Sequence, residues 1–462
     1  MRILRGLVVG ALVLAATPLA SVSAAYAAAP GSSPLQTADM LDAKGTYYSL
    51  FPRRVLDTRT GTGAPKAVVK PGATVRLQVG GAGGVPTTGV AAVAVNLTVV
   101  GPTSAGYLTV FPTGAARPNA SSINFAKGET RANSVIVALG TDGKIDIFNA
   151  VGSTHILIDV AGYYADATPL PDGAAVGGQL HPVTPQRLID TRTSWHSMLP
   201  AGAAARVLID YGPEITPHIR GVVVNVTAVT PTADGYLQAW SGDWGEQPTH
   251  STLNFRKGSV VPNQAIVGTV PCLVLICGEP VRQQIMVWTS ADTHVLVDIV
   301  AIIDDGTLPD GLRFEPRTPT RIVDTRTGTG LTKALGPNTA ATVSVPNASI
   351  PAQTRAIAVN AAAVAPTADT FVTLWPWSPD ETGRPDVSSL NAARGTTVAN
   401  AAITPIGPGT GSPSNAFNVY NATGNTHVLV DLVGTFYPGT AAPAATGAAY
   451  TLIPHPAVLQ QR

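Results

Sequence analysis

Charged residues are scarce in this sequence. They make up 12% of its 462 residues, and 29 Lys and Arg nearly balance 28 Asp and Glu, which gives a formal charge of +1. Proteins that bind nucleic acid or anionic lipid through their overall charge carry a clustered positive excess, which this balance does not supply. We therefore expect no nucleic-acid partner.

Long apolar runs are missing except near the N terminus. There, Arg2 and Arg5 precede the run GLVVGALVLAATPLA, and small residues follow in SVSAAYAAAP. This order is typical of a secretory signal peptide, which we assign to residues 1–27. No later stretch reaches the roughly 18 uninterrupted apolar residues of a membrane span. The sequence therefore predicts no transmembrane segment and a secreted, extracellular protein or one held non-covalently at the cell surface.

Cysteine is almost absent, since the chain contains only Cys272 and Cys277. In a secreted protein, two thiols this close in sequence predict a local disulfide. Zinc is the weaker interpretation, because no further ligands lie nearby in the sequence. No spaced acidic loop typical of a calcium site is present either. We therefore expect no metal and no cofactor.

What the sequence does contain is a threefold internal repeat. The segments RVLDTRTGTG at 54–63, RLIDTRTSWH at 187–196 and RIVDTRTGTG at 321–330 recur with a period of about 133 residues. Further Asn, His and Asp residues follow each segment in the same order. The chain is thus three copies of one unit.

Each unit is long enough to bury a core, so the repeats are interpreted as domains rather than solenoid turns. The joints repeat as well, because DATPLPDG at 166–173 matches DDGTLPDG at 304–311. This pattern indicates ordered joints and defined positions of the units, with pseudo-threefold symmetry as one arrangement. The predicted boundaries are unit 1 at 47–165, unit 2 at 177–304, unit 3 at 312–437 and a Pro- and Ala-rich tail at 438–462.

The segments within a unit are short and typical of strands. TVRLQV, AVAVNLTVV, KIDIFN and HILIDVAGYY alternate or run apolar, and 46 Gly and 39 Pro punctuate the chain. No helical period of apolar residues is sustained. Roughly seven or eight strands in each unit predict an all-β fold, namely three tandem β-sandwich-like domains of Greek-key or jelly-roll order. A small barrel or prism is the alternative.

The order of these motifs resembles a known repeat. Arg-x-x-Asp-Thr-Arg, an Asn in a Val- and Ala-rich strand, Gly-Tyr-Leu, Ser-x-Leu/Ile-Asn-Phe and His-x-Leu-x-Asp-Val recur over about residues 47–437. The set resembles a repeat of secreted proteins of Streptomyces and related actinobacteria, where it accompanies extracellular hydrolases and peptidoglycan-directed proteins. The resemblance implies secretion and modularity, and it implies no reaction. Unit 2 departs from the pattern with Ser194-Trp195-His196 after Asp-Thr-Arg.

One aspartate in each unit lies inside an apolar strand, as Asp159 does in HILIDVAGYY. A buried carboxylate needs a partner, and the Arg of Asp-Thr-Arg can bind it with two hydrogen bonds. We therefore interpret the motif as scaffolding that closes the first strand against the last, with a ligand-facing pair as the alternative. The predicted ion pairs are Arg59 with Asp159, Arg192 with Asp298 and Arg326 with Asp431.

A histidine precedes each of these aspartates by four residues, as His155 precedes Asp159. On a strand, four residues span about 13 Å, so these side chains share a face without touching. A serine triad would need Ser121 or its equivalents, but no Gly-x-Ser-x-Gly motif is present. We therefore expect no enzyme. The recurring asparagines, such as Asn96 and Asn133, are interpreted as buried amides that cross-link loops or strands.

Aromatic residues recur at the end of the Gly-Tyr-Leu strand and in the loops that follow it, which differ between units. Variable loops of a β-sandwich are common binding sites, and aromatic faces beside Asp, Asn and Gln suit sugar rings. The alternative is that the strand-end rings pack in the core. The candidate glycan-binding residues are Phe111, Trp240 and Trp375 at strand ends, and Trp244 and Trp377 in loops.

The sequence therefore favours a secreted, non-catalytic binding module that recognises an extracellular polysaccharide or cell-wall glycan. A structural surface or adhesion protein that acts through protein contacts is the alternative, and a hydrolase is a distant third. Exposed loop tryptophans beside a concave polar patch would favour the first, and a large exposed apolar patch would favour the second.

Overall fold

Strand accounts for 53% of the residues that the structure describes and helix for 4%, as short alternating segments separated by Gly and Pro predict. The predicted signal peptide at 1–27 and the loop residue Trp244 lie outside the described residues. The computed structural model describes residues 43–167, 177–242, 247–378, 383–407, 413–439, 451–455 and 458–460.

Unit 1 is an eight-stranded antiparallel sandwich. Its inner sheet has the strand order β1-β8-β3-β6 and its outer sheet the order β2-β7-β4-β5. This arrangement of eight strands in two sheets is a jelly roll. A single 3-10 turn, Thr141–Gly143, lies between β6 and β7. The strands are β1 (Tyr47–Asp57), β2 (Thr74–Gln78), β3 (Val90–Val100), β4 (Gly106–Pro112), β5 (Ile123–Phe125), β6 (Thr130–Ala138), β7 (Lys144–Asn149) and β8 (His155–Ala165).

Unit 2 repeats this order, with inner sheet β9-β17-β11-β14 and outer sheet β10-β16-β12-β13. It adds the short strand β15, which pairs with β16. It also contains two one-turn α-helices, α1 (Thr191–Ser194) and α2 (Val274–Cys277), and a 3-10 turn, Thr216–His218. The strands are β9 (Leu180–Asp190), β10 (Ala204–Ile209), β11 (Gly221–Val229), β12 (Gly235–Trp240), β13 (Leu253–Phe255), β14 (Val260–Gly268), β15 (Val270–Pro271), β16 (Gln283–Thr289) and β17 (His294–Ile303).

Unit 3 has inner sheet β18-β25-β20-β23 and outer sheet β19-β24-β21-β22, with a 3-10 turn at Asn347–Ser349. The predicted all-β fold with jelly-roll order is therefore confirmed. From the tail, strand β26 (Val458–Gln460) pairs with β10 of unit 2. The strands of unit 3 are β18 (Leu312–Asp324), β19 (Thr339–Ser344), β20 (Ala356–Val364), β21 (Thr370–Pro376), β22 (Leu390–Ala392), β23 (Thr397–Pro405), β24 (Ala416–Asn421) and β25 (His427–Pro438).

Each unit buries an apolar core between its two sheets. Strand β7 shows how alternation creates it: Ile145 and Ile147 are fully buried, while Lys144 and Phe148 face the other way and stay partly exposed. Burying one such aliphatic side chain stabilises a fold by about 1.5–3 kcal/mol. The three cores are equivalent in position, as the repeat requires.

The first strands of the three units meet one another. Tyr47 N of unit 1 donates to Gly178 O at the start of unit 2, at 2.8 Å, and β9 of unit 2 pairs with β18 of unit 3. Phe314 N of unit 3 donates to Gly45 O of unit 1, at 2.8 Å. Gly45 has φ of +76°, and a Cβ there would lie 2.6 Å from Phe314 O, so this close approach requires glycine. The contacts close a ring of three units.

A fourth apolar cluster draws side chains from all three units. The Tyr164 ring of unit 1 lies 4.4 Å from the Phe314 ring of unit 3, measured between centroids. Ala301 and Ile303 of unit 2 are buried in the same cluster. The units therefore share a core in addition to their own, which fixes their relative positions.

Recurring asparagines cross-link neighbouring units. Asn263 Nδ2 of unit 2 donates to Asn96 Oδ1 of unit 1 at 3.1 Å, and Asn96 Nδ2 donates to Ser251 O of unit 2 at 2.6 Å. Asn263 Oδ1 accepts a hydrogen bond from Ser134 N of unit 1 at 3.1 Å. The predicted cross-linking by amides is confirmed, and its cyclic order gives the protein a pseudo-threefold arrangement. Equivalent amide pairs are Asn400 with Asn225 and Asn133 with Asn360.

Candidate functional site

The buried aspartate of each unit binds an arginine, but not the one that the sequence predicted. Arg54 Nε and Nη2 donate to Asp159 Oδ1 and Oδ2, at 2.9 and 3.1 Å. Arg54 lies directly opposite Asp159 in the pairing of β1 with β8, so its guanidinium reaches the carboxylate across the sheet. The equivalent pairs are Arg187 with Asp298 and Arg321 with Asp431.

The predicted partners Arg59, Arg192 and Arg326 instead fold back onto the Asp of their own Asp-Thr-Arg motif. Arg59 Nε and Nη2 donate to Asp57 at 3.0 and 2.8 Å, and Arg59 N donates to Asp57 Oδ1 at 2.9 Å. The assignment of these arginines to Asp159, Asp298 and Asp431 was therefore wrong, because the turn after the strand directs them back to the nearer carboxylate. The motif still has a structural role, because its arginine donates hydrogen bonds to the aspartate of the same turn.

Burial and hydrogen bonding move the pKa values of these carboxyls in opposite directions. Hydrogen bonds from Arg59 hold the pKa of Asp57 below its ordinary value. Burial raises the pKa of Asp159 in spite of the hydrogen bonds from Arg54, and burial raises the pKa of Asp298 to about 6. These shifts follow from packing and ion pairing within the scaffold.

The threonine of the motif binds the recurring histidine. Thr58 Oγ1 lies 3.0 Å from His155 Nδ1 and accepts a hydrogen bond from Ile156 N at 3.1 Å. The Ser121 hydroxyl donates to Asn124 Oδ1 at 2.8 Å. The recurring serine and histidine thus have different partners, and both bonds recur in the other units.

The strand-end aromatics do not offer free faces to a ligand. Phe111, Trp240 and Trp375 are only 7%, 7% and 6% exposed, so their assignment as ligand-binding residues was wrong. Phe111 alternates with the core residue Val110 and therefore belongs to the outer face of the outer sheet, where it is nevertheless buried. Trp377 is half-buried.

A second set of aromatic residues, which the sequence reasoning missed, lies on the outer sheet of each unit. In unit 2, Tyr236 and Trp288 are half-exposed and their ring centroids are 5.5 Å apart. We call this pair the aromatic surface. It has a sequence signal, because the Tyr of Gly-Tyr-Leu and the aromatic near the end of β7, β16 or β24 recur together. The equivalent pairs are Tyr107 with Phe148 and Phe371 with Tyr420.

An arginine covers the aromatic pair in two of the three units. Arg117 Cζ lies 3.8 Å from the Phe148 centroid, and Arg384 Cζ lies 4.4 Å from the Tyr420 centroid. Gln247 stands at the equivalent position in unit 2, and its amide instead donates to Gln238 Oε1. Within the described part of unit 2, no guanidinium lies over the aromatic surface, so the cation–π contact seen in units 1 and 3 is not repeated there.

Backbone groups hold the aromatic surface in place. Trp288 Nε1 donates to Gly202 O at 2.9 Å, which fixes the orientation of the indole. Tyr236 N donates to Ser290 Oγ at 2.8 Å. A ring pair fixed in this way can stack against an apolar ligand face with little loss of side-chain freedom.

Clefts lie at the boundaries between units. One is lined by Ala120 and other residues of unit 1 together with residues of units 2 and 3, and one is lined by Val387 of unit 3 together with unit 2. His250 occupies in unit 2 the position that Ala120 and Val387 occupy in units 1 and 3. It lies at the boundary between units 1 and 2 and is 5% exposed. Burial, aided by the charge of Arg54, lowers the pKa of His250 to about 4.

The disulfide predicted between Cys272 and Cys277 is confirmed. Among the residues that the structure describes, no group of three or more His, Cys, Asp or Glu side chains could hold a metal ion. No helix in this part of the chain is long and apolar enough to cross a membrane.

Comparison with known proteins finds a structural likeness but no family. No family model matches the chain, and no curated protein matches it. A solved structure described as the triple jelly roll fold and turret assembly in an archaeal virus is similar to 86% of this chain over 90% of its own length. Its sequence identity is 10% and its TM-score is 0.16. The fold assignment therefore rests on the strand order of the three units described above.

Proposed function

We propose that the protein is a secreted, non-catalytic glycan-binding protein, in which three fused jelly rolls form a rigid scaffold and unit 2 carries the binding site. The ligand class is an extracellular polysaccharide or cell-wall glycan. The observation that carries the proposal is the partly exposed aromatic surface of Tyr236 and Trp288, beside which unit 2 has Gln247 in place of the arginine that lies over the equivalent rings in units 1 and 3.

The chemistry of a sugar ring suits this surface. A pyranose presents an apolar C–H face that stacks on an aromatic ring, and its hydroxyls bond to polar groups at the edge. The two rings are inclined at 45° to each other, so a ligand that spans both would contact two differently oriented faces.

The recurring polar residues support a binding rather than a catalytic role. Arg54, Asp159, Asn96 and Asn263 satisfy one another or the backbone within the scaffold. Functional differences between the units must therefore come from residues that do not recur, and Gln247 is one of them. The composition of the first 27 residues and the motif resemblance support secretion.

The proposal is tested by retention of the mature protein on insoluble peptidoglycan, chitin and cellulose. We expect retention on at least one of them, and a loss of tenfold or more in Trp288→Ala. Tyr420→Ala, which removes the capped ring at the equivalent position of unit 3, is the matched control and should bind as the wild type does. No retention on any of the three would favour the alternative, a structural surface or adhesion protein that acts through protein contacts.

A further inference from the structure

The connection between β15 and β16 in unit 2 displays an apolar surface. Residues 273–276, with the sequence Leu-Val-Leu-Ile, lie between the two bonded cysteines, and we call them the apolar loop. Leu275 is 99% exposed, Leu273 is 52% exposed, and Val274 and Ile276 are each 42% exposed. The corresponding connections at 139–143 and 406–415 contain no comparable apolar run. This feature belongs to unit 2 alone.

The exposure of this loop is built into its structure. The Cys272–Cys277 disulfide closes it, Cys272 N donates to Arg282 O at 2.7 Å, and the Arg282 guanidinium donates to Cys277 O. Cys272 itself is buried, so the base is anchored in unit 2. Helix α2, which forms most of the loop, buries none of its residues. The scaffold therefore holds these side chains away from its core, and contiguous exposed apolar residues of this kind mark contact sites.

Part of the backbone of the apolar loop is hydrogen-bonded within the loop. Ile276 N and Cys277 N donate to Leu273 O at 2.8 and 3.0 Å, and Gly278 N donates to Val274 O at 2.8 Å. Hydrocarbon penalises each unpaired backbone group by several kcal/mol. A loop that pairs some of these groups internally leaves water at a lower cost than an open turn.

The composition of the loop suits lipid better than a protein partner. A stable protein interface uses roughly 20–30 residues a side, and its strongest contacts are enriched in Trp, Tyr and Arg, with Leu and Val under-represented. The apolar loop is four aliphatic residues on a convex tip, with no side chain that can form a hydrogen bond. Hydrocarbon requires neither shape complementarity nor polar partners.

We propose that the apolar loop inserts into the surface of a lipid bilayer and gives the protein a reversible membrane contact. Its four side chains contain about as many carbon atoms as one myristoyl chain, which binds bilayers with an association constant of roughly 10⁴ M⁻¹. The formal charge of +1 supplies little attraction for anionic lipid, so insertion is driven by the apolar side chains. This site is separate from the aromatic surface and does not depend on glycan binding.

Flotation with phosphatidylcholine vesicles at millimolar lipid tests the proposal. We expect the wild type to float with the vesicles, and Leu275→Asp to lose tenfold or more of the floated fraction with an unchanged melting temperature. Val151→Asp replaces an apolar residue of unit 1 that is 47% exposed, and this control should float as the wild type does. In a second measurement, Leu275→Trp should show a blue-shifted emission that brominated lipid quenches.

Four results would overturn the proposal. The first is a wild type that stays with the soluble fraction, and the second is a Leu275→Asp variant that floats equally well. The third is binding confined to anionic vesicles and abolished by salt, which would indicate electrostatic attraction. The fourth is self-association without flotation that Leu275→Asp removes, because the apolar loop would then bind a second copy of the protein.

Discussion

Asn263 Nδ2 donates a hydrogen bond to Asn96 Oδ1 at 3.1 Å across the boundary between unit 2 and unit 1. Asn263 is fully buried and Asn96 is partly buried. The same bond joins unit 3 to unit 2 and unit 1 to unit 3. Because each boundary depends on the next, the three jelly rolls should unfold together rather than one by one.

Replacing one of these amides should therefore destabilise the whole molecule. In Asn263→Leu, Thr252 O and the partly buried Asn96 Oδ1 lose their donor, and Ser134 N loses its acceptor. We expect the free energy of unfolding to fall by about 2–4 kcal/mol, since each unsatisfied buried group costs about 1–3 kcal/mol. Urea unfolding measures this change. Asn119→Ala, at an exposed asparagine of unit 1, is the control and should leave the midpoint unchanged.

The two arginines that flank Asp57 should differ in their effect on stability. Arg54→Ala leaves the Asp159 carboxylate buried without its partner, and we expect a loss of about 3–5 kcal/mol. Arg59→Ala removes a side chain that is 43% exposed and should cost about 1 kcal/mol or less. Thermal unfolding of both variants measures the two losses of stability. If Arg59→Ala lost as much stability as Arg54→Ala or more, the result would contradict the pairing of Arg54 with Asp159.

Acid should destabilise the boundary between units 1 and 2 through His250. The pKa of His250 is lowered to about 4 in the folded protein, whereas an unfolded histidine titrates near 6.5. Between these values the folded state binds fewer protons than the unfolded state. The contribution of neutral His250 is thus fully present above about pH 6.5 and is lost as the pH falls towards 4, by about 3 kcal/mol at most.

The variant His250→Val isolates this effect, because it introduces the residue that unit 3 has at the equivalent position. Asp298, whose pKa is raised to about 6 from 3.8, acts in the opposite direction, since its folded state binds more protons and gains stability as the pH falls. Asp298 is present in both proteins and cancels from the comparison. We expect the free energy of unfolding of the wild type, relative to that of the variant, to fall as the pH is lowered from about 7 to about 4.5. A difference that stays constant with pH would refute the role of His250.

The sequence predicted most of the fold and less of the site. Alternation in segments such as β7 predicts strands directly, and the repeated order of motifs predicts equivalent domains. The disulfide and the cross-linking by Asn96 and Asn133 were also foreseen. These features could be predicted because they depend on local sequence pattern or on the chemistry of single residues.

The errors share one physical cause. Arg54 and Arg59 both lie near Asp57, and only the register of β1 against β8 decides which one reaches Asp159. Alternation places Phe111 on the outer face, but it does not show that this face is buried at Phe111. The pairing of Tyr236 with Trp288 likewise joins two strands that are distant in sequence. Strand register and the burial of a sheet face are tertiary properties, which a single sequence does not show.

Exchanging the capping residue between units 2 and 3 tests the proposed binding site most directly. The measurement is the affinity of Gln247→Arg, Arg384→Gln and wild type for the polysaccharide that retains the wild type. We expect Gln247→Arg to lose tenfold or more of the affinity, because a guanidinium would cover Tyr236 and Trp288 as Arg384 covers Tyr420. Arg384→Gln should keep or increase it, with unchanged melting temperatures. Full affinity in Gln247→Arg would contradict binding at the aromatic surface.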